Sequence, residues 1–123
     1  MNLTIKQEGK YSLLRLHDDK LTAVISPELK SEFLVLSAEG TRNIILDLGE
    51  TSYCDSSGLS AILVGNRLCR NAGGTFVISC LQDGVTRLII ISQLDKVLAI
   101  SPTVSEAIDL VFMEEIEREM DLE

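Results

Sequence analysis

The sequence predicts one α/β domain, a mixed and mostly parallel sheet of about five strands with four helices and an opening β-hairpin. Three observations carry this prediction. Two short strand-like runs around a glycine turn open the chain. After them, apolar runs suited to buried strands alternate with segments of helical periodicity, which requires crossover connections and therefore parallel pairing. The length of 123 residues is that of a single domain able to bury a core without disulfides or metals.

Leu3–Gln7 and Tyr11–Leu16 form the hairpin, with Glu8-Gly9-Lys10 as its turn. Ser26-Pro27-Glu28 reads as a helix start, with Ser26 as cap, Pro27 at the tolerant first position and Glu28 near the positive helix end. Leu29, Phe33 and Leu36 give that helix an apolar face, and Gly40 stops it. Asn43–Leu48 is a nearly continuous apolar run, as a strand covered on both faces requires. Ser57–Ala72 is a helix ended by Gly73-Gly74, and Thr75–Ser79 is another buried strand. Val85, Leu88 and Ile89 follow a cap at Asp83 with helical spacing, and Val97–Ile100 is a short strand. Thr103 and Glu106 form a capping box for the last helix, whose buried stripe is Val104, Ala107, Ile108, Val111 and Phe112.

Composition narrows the function classes. Hydrophobic residues make up 46% of the chain but aromatics only 4%, with no Trp, so the core is aliphatic. Eleven bases against nineteen acids give a net charge of −8. Six of those acids and one base fall between Glu114 and Glu123, read as a solvated helix end or an interaction tail beyond a domain spanning 1–113. Such a balance excludes an electrostatic footprint for nucleic acid or anionic lipid. Three cysteines without a CxxC pair fit free thiols in a reducing compartment, and no apolar run approaches the ~20 residues of a membrane span. A cytoplasmic protein without membrane insertion is expected.

Catalytic signatures are missing: there is no GxGxxG, Walker loop, HExxH or GxSxG. The lone His17 reads as a polar turn residue, and Asp47, Glu50 and Asp55 lack the second ligand group a metal site needs. No enzyme, cofactor or metal is expected. The one dense polar constellation, Thr51 to Leu59, connects a buried strand to a helix start. Function collects at such carboxyl ends of strands, and a helix start offers free amides and partial positive charge to a phosphate. A serine there accepts phosphorylation, whereas the plainer reading makes Asp55 or Ser56 the helix cap.

A helical wheel advancing ~100° per residue places Ala61, Gly65, Leu68, Cys69 and Ala72 opposite Ser56, toward the sheet. Ser60, Asn66, Arg67, Arg70 and Asn71 fall on the Ser56 side together with Leu59 and Leu63. The two leucines are either a docking stripe or packed under a neighbouring loop. Gly58 gives backbone room near the serine hydroxyl.

The run Asn43-Ile44-Ile45-Leu46-Asp47-Leu48, then Asp55-Ser56-Ser57-Gly58-Leu59, Ile62-Leu63 and Gly73-Gly74, resembles the STAS domain, and more narrowly the bacterial anti-sigma factor antagonists. The resemblance spans almost the whole chain up to about Glu114. It implies a small sheet with helices on one main face. It implies binding of an anti-sigma factor that is also a serine kinase, phosphorylation of Ser56 by that kinase, and reversal by a serine phosphatase. Regulation of transcription follows indirectly, through release of the sigma factor. Asp55, Ser57, Gly58, Leu59, Ser60, Leu63 and Arg67 then form the partner-binding surface. The sequence departs from the family pattern at His17-Asp18-Asp19-Lys20-Leu21-Thr22, where Gly-Glu-Leu-Asp is usual, and at Ser92-Gln93-Leu94, where Ser-Gly-Leu is usual. The alternative within the resemblance is a constitutive subunit of a transporter or signalling scaffold.

Overall fold

The chain alternates strands and helices throughout the computed structural model, which describes residues 1–121. The strands are β1 (Leu3–Gln7), β2 (Ser12–Leu16), β3 (Lys20–Leu21), β4 (Ile44–Asp47), β5 (Tyr53–Cys54), β6 (Phe76–Ser79) and β7 (Ala99–Ser101). The helices are α1 (Ser26–Ala38), α2 (Ser56–Asn71), α3 (Asp83–Ile91) and α4 (Val104–Asp121). Five strands pair in the order β1-β2-β4-β6-β7, with β1 antiparallel to β2 and the others parallel. Leu14, Leu46 and Ile78 lie side by side across the three central strands, so neighbouring strands direct their apolar residues to the same layer.

The sheet is covered on both faces, with α1, α2 and α3 on the main face and α4 on the other. The larger core joins Leu14, Leu46 and Ile78 to Leu29 and Phe33 of α1, Ile62 of α2 and Val85 and Ile89 of α3. The opposite face carries Ile45 and Val77, sealed by Ala107 and Val111 of α4. Period-two alternation along β4 and β6 therefore feeds two cores, which is why these strands read as unbroken apolar runs.

Several helix starts differ from expectation. Ser26 is the first residue of α1 rather than its cap. It is buried, and its hydroxyl donates to the Thr22 carbonyl at 2.6 Å. Asp83 is likewise inside α3, with Gln82 as cap. Thr103 does cap α4, accepting from the Glu106 amide at 3.1 Å. Two further strands without a periodic signal in the sequence, β3 and β5, have two residues each and pair in parallel as a separate sheet.

The acidic end reads differently in part. Residues 114–121 continue α4, and the last two positions of the 114–123 segment lie outside the described residues. Glu115 is buried, correcting the solvated reading at that position. Its carboxylate accepts from Arg42 Nη2 at 2.6 Å, Asn43 Nδ2 at 2.7 Å and Arg118 Nη1 at 2.9 Å. Burial pushes the Glu115 carboxyl up, but the bond from Asn43 and the charges of Arg42 and Arg118 outweigh it, so the carboxyl titrates below its ordinary range. Asn43 is the hub. It also donates to the Lys10 carbonyl at 2.8 Å and accepts from the Thr75 amide at 2.8 Å, tying the hairpin, β6 and α4 together.

Candidate functional site

The strand-to-helix turn is held by the small β3–β5 sheet. Register pairs Lys20 with Tyr53 and Leu21 with Cys54. Thr51 Oγ1 donates to the Asp18 carbonyl at 2.9 Å, and Ser52 Oγ donates to Asp19 Oδ1 at 2.5 Å. The segment that departs from the family pattern is thus part of the frame of the Ser56 turn.

Asp55 is the cap of α2. Its Oδ1 accepts from the Gly58 amide at 2.9 Å, and its Oδ2 accepts from the Ala23 amide at 3.3 Å. The same side chain therefore satisfies an orphan amide of the helix and fastens the loop before α1. Ser56 is the first residue of α2 and is exposed; Ser57 is half-buried.

Gly58 has a different role from the one expected. A Cβ there would lie 2.6 Å from Cys54 Sγ and 2.8 Å from Leu21 Cγ, and closer still to the Leu21 carbonyl. The missing side chain lets α2 seat on the small sheet; it does not open space around the serine. The Cys54 thiol beneath is pushed up to about 12, by burial first and by Asp55 second, and is therefore protonated at neutral pH.

The two leucines part company. Leu59 is buried, with 6% exposure, which corrects its placement on an outward stripe. The wheel treats the sheet as the one surface α2 meets. In the fold α2 lies between α1 and α3, so its flanks are covered as well, and Ile62 and Asn66 are buried with Leu59. Leu63 is half-buried against the main core. Ala61, Gly65 and Cys69 are buried as the wheel expects, whereas Leu68 is half-buried and Ala72 exposed.

Beside Ser56 runs a groove of about 290 Å³ between α2 and α3. Leu59, Leu63 and Val64 line it from one side and Leu88 and Leu94 from the other, with Ser56, Ser60, Arg67 and Ser92 as polar lining. The structure thus brings Ser56, Leu59, Ser60, Leu63 and Arg67 together. Asp55, Ser57 and Gly58 are adjacent in the chain but do not line the groove. Two exposed apolar side chains flank the turn: Val24, 83% exposed, in the loop before α1, and Tyr53, 51% exposed, in β5. Val24 follows Ala23, whose amide is bonded to Asp55. The available signal was an apolar β-branched residue two positions before the helix start.

The acids that might be grouped by sequence each have their own partner. Asp47 accepts from Arg15 Nε at 2.8 Å, which raises the Arg15 pKa further. Glu50 meets His17 Nδ1 at 2.6 Å, and His17 Nε2 meets Thr4 Oγ1 at 2.6 Å, so His17 is a bridging residue. Among the described residues, no group of three His, Cys, Asp or Glu is placed to hold a metal ion, and no helix is long and apolar enough to cross a membrane.

The family model of the STAS domain matches residues 2–107. Among solved structures, an anti-sigma factor antagonist from Mycobacterium paratuberculosis is similar at a TM-score of 0.80 and 19% identity, over 89% of this chain and 92% of that one. The Bacillus cell fate determinant SpoIIAA in its phosphorylated form gives 0.70 and 20%, over 89% and 99%. A sulfate transporter family protein from Wolinella succinogenes gives 0.75 and 14%, over 87% and 88%. At these identities the likeness is one of fold.

Proposed function

Because the chain belongs to the STAS domain family, we propose that it is an anti-sigma factor antagonist: a cytoplasmic, non-enzymatic binding protein switched by phosphorylation of Ser56. Its partners in this reading are an anti-sigma factor serine kinase and a serine phosphatase acting on phosphorylated Ser56. The observation that carries it is the exposed Ser56 at the first position of α2, beside an apolar groove.

The physics supports a switch that needs no refolding. A phosphate on Ser56 adds roughly −1.5 to −2 charges at a helix start, where free amides and the helix dipole accommodate it. The same charge stands next to Leu63, Val64 and Leu88, so an apolar partner surface loses its contact through desolvation and repulsion. In this reading Ser60, Leu63 and Arg67 meet the partner directly. Asp55 and Gly58 fix where the helix begins, Ser57 is part of the turn, and Leu59 forms the floor. Residues 1–113 act as the binding domain, with 114–123 as its acidic end.

The test is a pull-down from the native cell with wild type, Ser56→Ala and Ser56→Asp, paired with mass spectrometry after kinase and ATP treatment. Ser56→Ala is expected to bind constitutively, and Ser56→Asp to lose the partner. Equal binding by all three, with no phosphate on the wild type, refutes the switch. The likeness to the sulfate transporter family protein favours a second reading, in which the groove holds a permanent partner. Copurification with membrane transport components, indifferent to Ser56→Asp, identifies that case.

A further inference from the structure

Helix α4 seats Ala107, Val111 and Glu115 inward, yet it carries a second apolar row. Phe112, Met113, Ile116 and Met120 are 41%, 58%, 57% and 67% exposed. Phe112, Ile116 and Met120 recur at every fourth position, which aligns them along one side of the helix, with Met113 next to them. Phe112 meets the Tyr11 ring edge-on at 6.4 Å, so the row continues toward the opening hairpin. Scattered exposed apolar residues are ordinary, but three in line on one helix with a fourth beside them form a patch.

The exposed charges that α4 itself carries beside the row are acidic, with Arg70 of α2 sharing a cleft with Glu117 and Asp121 on one flank. Glu106, Asp109, Glu117, Glu119 and Asp121 are all exposed on α4. Arg118, the helix's one base, is engaged by Glu115 at 2.9 Å, by Glu114 at 3.7 Å and by the Thr75 hydroxyl. It is therefore not available to offset the outer acids.

We propose that the outer face of α4 is a docking surface for a cationic amphipathic helix of a partner protein. An apolar row flanked by acids fits a helix with an apolar stripe and lysines or arginines beside it. A second copy of this chain would bring five acids against five, and an anionic bilayer would repel the same acids. The unbranched side chains of Met113 and Met120 adapt to the shape of an incoming stripe. From Phe112 to Met120 the row is about 12 Å long, so it engages two to three turns of a partner helix. Because α4 covers the opposite sheet face from α1–α3, this surface is separate from the Ser56 groove.

The probe is a fluorescein-labelled Leu/Lys amphipathic peptide of about five turns, compared with its scrambled counterpart by fluorescence anisotropy. The full chain is expected to bind the amphipathic peptide at least about tenfold more tightly than the scrambled one. Ile116→Ser/Met120→Ser should weaken binding about tenfold. Glu117→Lys/Asp121→Lys should weaken it similarly and flatten its salt dependence. These side chains are exposed, and thermal unfolding verifies that the variants are folded. Ser56→Asp should leave peptide affinity unchanged whether or not Ser56 proves to be a switch. Equal affinity for the scrambled peptide, or indifference to Ile116→Ser/Met120→Ser, overturns the proposal. So does loss of binding in Ser56→Asp, self-association that the peptide fails to displace, or binding of anionic vesicles through α4.

Discussion

Asn43→Ala removes the hub that joins three elements, and its cost follows from the bonds it breaks. Asn43 is 2% exposed. Its carbonyl oxygen serves the buried Thr75 amide, which then has no partner, at about 1–2 kcal/mol. Its amide serves Glu115, a charge-assisted bond of about 1.5 kcal/mol. The third bond goes to the Lys10 carbonyl on an exposed turn, where water substitutes, so about 0.5 kcal/mol is lost. Together these give a loss of about 3–4 kcal/mol. For a domain of this size that lowers Tm by roughly 12 °C. Urea unfolding measures the change as a lower midpoint at unchanged slope. Asn43→Asp sharpens the test, since a carboxylate cannot donate and would face Glu115 at the distance of the lost bond. It should be less stable than Asn43→Ala at neutral pH, with the gap closing as pH falls, because two facing carboxylates raise one another's pKa until one takes up a proton. A loss under about 1 kcal/mol in Asn43→Ala, or an Asn43→Asp variant as stable as wild type, refutes the hub.

Three further outcomes are expected. Gly58→Ala should destabilise by about 2 kcal/mol or more, because the Leu21 carbonyl and Cys54 thiol crowd the added Cβ beyond the roughly 1 kcal/mol gained in helix propensity; denaturant melts decide it. Glu115 titrates low in the folded state, so its stabilisation is present above the ordinary glutamate value of about 4.3 and is lost as pH falls through the depressed folded value. Glu115→Gln should therefore be less stable at pH 7 and show a flatter acid limb of stability against pH. With iodoacetamide at neutral pH, the half-exposed Cys80 should be alkylated first, while the buried Cys54 and Cys69, both pushed up to about 12, should react only on unfolding; peptide mapping reads the order.

Elements with strong periodicity were legible from sequence alone. The hairpin, the two buried central strands and all four helices fall within a few residues of expectation, because alternation and apolar runs report directly on burial. The two-residue strands β3 and β5 left no such trace; a pair that short exists only because the tertiary fold brings its segments together. Ser26 read as a cap because Ser-Pro usually is one, yet the chain buries it one position inside the helix. At the site, Ser56 was legible from motif and position. The burial of Leu59 was not, because a wheel knows one neighbour and α2 has several. Glu115 was hidden by its acidic surroundings although it continues the every-fourth-residue row of Ala107 and Val111, because its partners Arg42 and Asn43 lie more than seventy positions away.

The small β3–β5 pair has a dynamic consequence. It consists of two residues per strand and stands apart from the five-stranded sheet, but Leu21 and Cys54 belong to the larger core, so opening the pair uncovers one margin of that core while the central strands stay paired. Amides of Leu21 and Cys54 should then exchange with solvent deuterium well before those of Leu46 or Ile78. Such a breathing motion would carry Val24 and Ser56 together, because Asp55 fastens both ends of the same latch.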